Sequence, residues 1–240
     1  MLSKQNIVIT RPQGQDKKLR TILATYNPEA IYHLPMLAIK PLDSQAIVFD
    51  PTIHYHHIIF VSLNAIQYSQ QIIPPSILKN AQCYTLGPSS FQALKKIGIH
   101  SHYQPKNSTS ETLLSLFNCI AVNNQNILIV RGMGGRNIMG QNLKKKGAKV
   151  HYLELYQREP INYIMTDIPK KINYVLLTSG ESFINWHKQT KAQHICTPII
   201  VPSQRIASLA KKYNYPFIAI AQHANDVAMV QQLIICHNGR

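Results

Sequence analysis

Asn126-Ile-Leu-Ile-Val130 runs straight into Arg131-Gly-Met-Gly-Gly-Arg136 and then into Asn137-Ile-Met-Gly-Gln-Asn-Leu-Lys-Lys-Lys146, which reads as buried strand, glycine turn and helix. The chemistry this junction offers is the holding of an anion. Glycines at 132 and 134 let backbone N–H groups approach a ligand, and the first turn of a helix presents unpaired donors with a partial positive charge. Arg131 and Arg136 flank the turn. An arginine at a helix start opposes the macrodipole, so Arg136 stands against local helix stability and invites a functional explanation.

Serines occupy comparable places elsewhere. Ser62, Ser90, Ser179 and Ser203 each stand between an apolar run and a helical pattern. Serine is among the preferred helix caps, and capping alone accounts for each of them. Their recurrence at equivalent positions raises the reading that they also bind a ligand. Tyr156 differs in lying beside Arg158 within an extended, proline-bounded segment. A tyrosine keeps its proton at neutral pH and can donate it, so Tyr156 is either a proton donor or an ordinary ladder aromatic.

Other constellations carry less. A dinucleotide fingerprint G-x-G-x-x-G needs glycine at position 137, where Asn137 stands, although Glu154 falls about where a ribose-binding acid belongs. The turn also lies deep in the chain rather than after the first strand, which argues against NAD or FAD. His54, Tyr55, His56 and His57 lack acidic or thiol companions and read as a solvated lead-in to a strand rather than a metal site. No G-x-S-x-G elbow occurs, and His223 reads as a polar residue at a helix entry. Cys83, Cys119, Cys196 and Cys236 contain no C-x-x-C pair and fit reduced thiols. The expectation is therefore no structural metal.

Strand-like and helix-like segments alternate around these residues. Apolar runs rich in Ile and Val at 7–10, 58–62, 81–86, 127–130, 175–178, 198–201 and 217–220 are interleaved with helical patterns, which predicts parallel sheets covered on both faces. Ser108-Thr-Ser-Glu111 reads as a capping box, and Ser90 and Ser203 as helix starts. In such sheets ligands bind at the carboxyl ends of the strands, where the serine and glycine junctions fall. An internal echo supports two related domains: Phe60-Val-Ser-Leu-Asn-Ala-Ile66 resembles Leu177-Thr-Ser-Gly-Glu-Ser-Phe183, and Thr85 to Leu94 resembles Val201 to Leu209. Facing domains would aim both sets of junctions at one cleft. Two extended segments, 35–41 and 153–160, stand outside the alternation and bracket the material between them. They read as a two-stranded β-ladder linker, giving one discontinuous domain of 1–36 and 160–240 and a second of 42–154. A simple cut near residue 123 is the other possibility the pattern leaves open.

With 25 Lys and Arg against 10 Asp and Glu, the formal charge is +15, which admits nucleic acid, anionic lipid or a polyanionic small molecule as partner. The lysines at 95–96, 144–146 and 211–212, however, fall in the last turns of expected helices, just before Gly98, Gly147 and Asn214, where cations complement the helix dipole. No recognised nucleic-acid module appears, so neither nucleic acid nor membrane is expected as a partner. The amino terminus reads as a first strand rather than a signal peptide, and the expected location is the cytoplasm.

The motifs taken in order resemble the uroporphyrinogen-III synthase family over almost the whole chain. They are Ile9-Thr-Arg-Pro12, Val61-Ser-Leu-Asn-Ala65, Leu86-Gly87 with Ser90, Arg131 to Arg136, Leu155-Tyr-Gln-Arg158, Thr178-Ser-Gly-Glu181, Ser203-Gln-Arg-Ile-Ala207 and Ala224-Asn-Asp226. The resemblance implies two parallel-sheet, flavodoxin-like α/β domains joined by a two-stranded ladder, with the first strand and helix belonging to the domain completed by the carboxyl half. It implies cyclisation of hydroxymethylbilane to uroporphyrinogen III, with loss of water and inversion of ring D and with no cofactor or metal. The enzyme would be a cytoplasmic monomer taking its substrate from hydroxymethylbilane synthase. Carried across, the motifs assign Thr10, Arg11, Ser62, Asn64, Ser90, Arg131, Gly132, Gly134, Ser179, Gly180 and Ser203 to binding the carboxylate-rich substrate. They assign Tyr156 to donating a proton to, or stabilising, the leaving hydroxyl. Ser90 stands where the family commonly has threonine, and Gln204 where an acidic residue is often seen, which leaves the role of Arg205 open. The competing reading is a non-catalytic two-domain binder of some other polyanion.

Overall fold

The computed structural model describes residues 1–102 and 110–239, apart from the side chains at 110–112, 191 and 192. The Ser108 to Glu111 capping box lies outside the described residues. In chain order the elements are β1 (Asn6–Ile9), α1 (Lys17–Ala24), β2 (Ala30–His33), β3 (Leu37–Pro41), β4 (His57–Phe60), α2 (Leu63–Ser69), α3 (Pro75–Asn80), β5 (Gln82–Thr85), α4 (Pro88–Lys96) and α5 (Ser110–Leu116). They continue with β6 (Asn126–Gly132), α6 (Ile138–Lys145), β7 (Lys149–Pro160), β8 (Tyr174–Leu176), α7 (Gly180–His194), β9 (Ile199–Val201), α8 (Gln204–Lys212), β10 (Ile218–Ile220) and α9 (Asp226–Asn238).

The chain divides into two units, Met1–Ile39 with Glu159–Arg240, and Lys40–Arg158. The sheet of the first runs β10-β9-β8-β1-β2, with every neighbouring pair parallel. Alternate side chains of its strands feed different clusters. Ile7, Ile9, Leu176 and Ile200 pack with Leu19 and Leu23 of α1 and Met229 and Leu233 of α9. Val8, Val175, Ile199 and Val201 pack with Phe183 and Trp186 of α7 and Ile206 and Ala210 of α8. Strands apolar on both faces are what a sheet covered on both sides requires. The sheet containing the middle unit runs β3-β7-β6-β4-β5, and its β7-β6, β6-β4 and β4-β5 pairs are parallel. Ile59, Tyr84, Ile127 and Ile129 there pack against Leu113 and Phe117 of the α5 region and Met139 and Leu143 of α6.

Helix ends follow the charge pattern. Lys95 and Lys96, Lys144 and Lys145, and Lys211 and Lys212 occupy the last turns of α4, α6 and α8. Each helix then closes through a residue with positive φ, Gly98 at 76°, Gly147 at 82° and Asn214 at 61°.

The structure departs from expectation in several places. β2 carries no strand signal in the sequence, because Ala30-Ile-Tyr-His33 is a half-buried edge strand without a continuous apolar run. β7 begins at Lys149, so the extended segment 153–160 is part of a longer strand that pairs with β6 as far as Tyr156. Ser90 is not a cap: α4 starts at Pro88 with Gly87 as its N-cap, which puts Ser90, 4 % exposed, inside the first turn. His57 is not solvated lead-in. It opens β4 at 3 % exposure, its ring lies against Tyr84 and Phe117, and its Nε2 is 2.6 Å from Gln125 Oε1.

Burial pushes the His57 pKa below its ordinary 6.5, and among the described residues the buried Nδ1 has no hydrogen-bond partner. His194 is lowered by burial in the same way. A base with a depressed pKa binds fewer protons folded than unfolded, so its stabilising contribution is complete above the unfolded value and is lost as pH falls below about 6.5. The urea midpoint is therefore expected to drop between about pH 7.5 and pH 5.5, and His57→Phe, which keeps a ring in place, to flatten that dependence.

Candidate active site

The turn at the end of β6 is folded around its own first arginine. Arg131 is 9 % exposed. Its Nε donates to Glu154 Oε1 at 3.0 Å, and Nη2 lies 2.8 Å from the same oxygen. Nη1 donates to the Gly135 carbonyl at 3.1 Å and to Asn137 Oδ1 at 2.8 Å. The guanidinium carbon stands 4.0 Å from the Tyr152 ring centroid. A buried cation is tolerated only when paired in this way, and the planar fork of arginine suits it. Arg131 therefore braces the turn from inside, and Glu154 is its counterion.

The brace shapes the helix start. Asn137 is the N-cap of α6, but its carboxamide points to Arg131 and no side-chain hydrogen bond caps the helix. The first amides of α6 are left as donors. Gly134 adopts φ +71°, which a side chain would resist, and Arg136 is exposed. On α6, Gly140 leaves room for the Tyr152 hydroxyl, which a Cβ there would overlap.

Tyr156 is set by a bulge. Arg131 pairs with Glu154 and Gly132 with Tyr156, so β7 carries one extra residue, Leu155, at this point. Bulges of this kind re-aim the side chains that follow. Tyr156 is fully buried, and a Cβ on Gly132 would come 2.5 Å from its Cε2. Its carbonyl accepts from the Met133 N–H at 2.7 Å. Tyr68 lies 5.8 Å away ring to ring, and the Arg158 guanidinium carbon 5.9 Å from the ring centroid. The Tyr156 hydroxyl shares a 2.8 Å hydrogen bond with Ser62 Oγ. Ser62 also caps α2, accepting from the Ala65 N–H at 3.1 Å. Asn64 follows it as the second residue of that helix.

The first unit presents its own junctions at strand ends. Thr10, after β1, is buried and donates to the Leu176 carbonyl at 2.8 Å. Arg11 forms an ion pair with Asp226 at the start of α9. Ser179 caps α7 as Ser62 caps α2, accepting from the Ser182 N–H at 3.0 Å. Gly180 opens that helix, and a Cβ there would lie 3.6 Å from Arg205 Nη1. Ser203 is the N-cap of α8 with no side-chain capping bond. Sequence reasoning missed the Asp226 partner of Arg11, the stacking role of Tyr152 and the Tyr68 neighbour. The spacing from Arg131 to Glu154 was visible, but it suggested a ribose contact. Among the described residues no group of three or more metal-ligating side chains comes together.

The model of uroporphyrinogen-III synthase HemD matches residues 27–231. The chain belongs to the uroporphyrinogen-III synthase family. It is 27% identical over 247 residues to the uroporphyrinogen-III synthase of Escherichia coli, spanning 95% of this chain and 99% of that one. With the uroporphyrinogen-III synthase of Proteus mirabilis the identity is 28% over 177 residues, covering 69% and 86%. The fold is shared with the uroporphyrinogen-III synthetase structure from Helicobacter pylori, at a TM-score of 0.69 and 14% identity over 97% of this chain and 99% of that one.

Within this synthase family member, Arg131→Lys is expected to lose about 2–3 kcal/mol in urea unfolding, because one ammonium cannot reproduce the fork toward Glu154, Gly135 and Asn137. Gly132→Ala is expected to lose about 1–3 kcal/mol by the same measurement, and to change the near-ultraviolet circular dichroism as the Tyr156 ring is displaced.

Proposed function

We propose that the protein closes hydroxymethylbilane to uroporphyrinogen III, losing water and inverting ring D, as a step of haem and related tetrapyrrole biosynthesis. The observation that carries this reading is the family match over residues 27–231. Because a C–O bond breaks and water leaves, the activity is that of a cyclising carbon–oxygen lyase. The substrate's acetate and propionate groups call for N–H donors, hydroxyls and cations. The uncapped start of α6, with Gly132, Gly134 and the exposed Arg136, suits one carboxylate, and Arg131 serves that site by holding the turn. Thr10, Arg11, Ser62, Asn64, Ser90, Ser179, Gly180 and Ser203 are the further candidates. Their common place at the carboxyl ends of parallel strands supports the assignment.

The reaction itself asks for little covalent help. Protonated departure of the hydroxyl leaves an azafulvene cation. Attack by the substituted carbon of ring D gives a spiro intermediate, and opening with reclosure turns that ring around. The bilane also closes unaided to the symmetrical isomer, so holding one folded geometry carries much of the catalysis. The same lability favours direct delivery from hydroxymethylbilane synthase to a monomeric, cytoplasmic enzyme. Tyr156 is the proposed proton source, a role supported by the hydrogen bond that fixes its hydroxyl on Ser62. The neighbouring of β3 and β7 supports the reading of 35–41 and 153–160 as a two-stranded connection.

Incubation with enzymatically generated hydroxymethylbilane, oxidation and chromatographic separation of the uroporphyrin isomers is expected to give isomer III. Isomer I alone would favour a non-catalytic polyanion binder. In the same assay Tyr156→Phe is expected to lower kcat by about a hundredfold or more, the range of general acid catalysis. Full kcat in that variant would remove Tyr156 from the reaction.

A further inference from the structure

The hydrogen bond between Tyr156 and Ser62 can be donated by either hydroxyl, and burial decides which. Tyr156 is 0 % exposed, and among the described residues its hydroxyl has no acceptor except Ser62 Oγ. A buried O–H without an acceptor is disfavoured, so Tyr156 donates and Ser62 accepts. Ser62 Oγ also accepts the Ala65 N–H at 3.1 Å. A hydroxyl oxygen has two lone pairs, and both are now taken. The Ser62 proton must then point away from Tyr156 and from the helix. Ser62 is partly exposed where Tyr156 is not, which makes it the accessible member of the pair.

We propose that Ser62 is the group that touches the departing hydroxyl of hydroxymethylbilane, and that Tyr156 supplies the proton from behind it. This rests on the synthase reading above. In the step, the C–O bond of the hydroxymethyl group breaks with its electron pair going to oxygen, and that oxygen takes the Ser62 proton and leaves as water. The pyrrole nitrogen lone pair forms the C=N bond of the azafulvene cation. Ser62 Oγ takes the Tyr156 proton as it gives up its own, and the resulting phenolate accepts a hydrogen bond back from Ser62. The proton returns by the same path when the ring-closing carbon of ring D loses its hydrogen on regaining aromaticity. Ser62 is thus a catalytic residue, and Tyr156 acts through it.

Formation of isomer III by the unaltered enzyme tests the synthase reading by itself, and the relay is then tested by variants measured against it. Ser62→Gly keeps a residue that starts helices nearly as well as serine while removing the hydroxyl. It is expected to lower kcat by about a hundredfold or more with little change in KM. Ser62→Thr, which restores a hydroxyl on the same carbon, is expected to recover most of that loss. Groups acting in series are not additive, so Ser62→Gly combined with Tyr156→Phe should be within about threefold of Ser62→Gly alone. The relay is overturned if Ser62→Gly keeps kcat within about threefold of the unaltered enzyme, or if the two single losses multiply in the double variant.

Discussion

Tyr156 lies where it does because position 132 has no side chain. The ring fills the space that a Cβ on Gly132 would occupy, and the bulge at Leu155 turns it there. From that contact follows the rest of the local order. The hydroxyl is carried to Ser62, Ser62 is fixed by its bond to the Ala65 N–H, and the Tyr156 carbonyl ties back to Met133 at the head of the glycine turn. Strand β6, strand β7 and helix α2 thus meet through one aromatic side chain. A tyrosine gripped in this way has little side-chain freedom left to lose.

Charge is managed on the same economical lines. Arg131 turns inward to Glu154 and the turn carbonyls, drawing Asn137 away from the helix it would otherwise cap. The cation shapes the backbone donors of the turn, while Arg136 remains exposed beside them. Lysines at the ends of α4, α6 and α8 sit against carbonyls that carry partial negative charge, so much of the formal charge of +15 complements the helices themselves.

Much of this was legible in the sequence. Continuous apolar runs such as Ile127 to Val130 and Val175 to Leu177 gave away buried parallel strands, because a strand covered on both faces cannot alternate. Gly98, Gly147 and Asn214 marked helix ends because few other residues accept positive φ. The echo between Ser62 and Ser179 is a real structural equivalence, since both accept an N–H from three residues on. Ser90 misled because Pro88 starts its helix earlier, proline being well suited to a first helical position. What no local pattern could show were partnerships across the sheet. Arg131 with Glu154, Arg11 with Asp226 and Gly132 with Tyr156 depend on register, and a single bulge changes which residue faces which.

Whether Tyr156 works from behind Ser62 is decided by a crystal structure with uroporphyrinogen III bound. The bridging carbon formed in ring closure should lie nearest Ser62 Oγ, with the Tyr156 hydroxyl still on the far side of that oxygen and a carboxylate of the product on the first amides of α6. A product held in direct contact with the Tyr156 hydroxyl, with Ser62 turned away, would show that Tyr156 acts without Ser62 as intermediary.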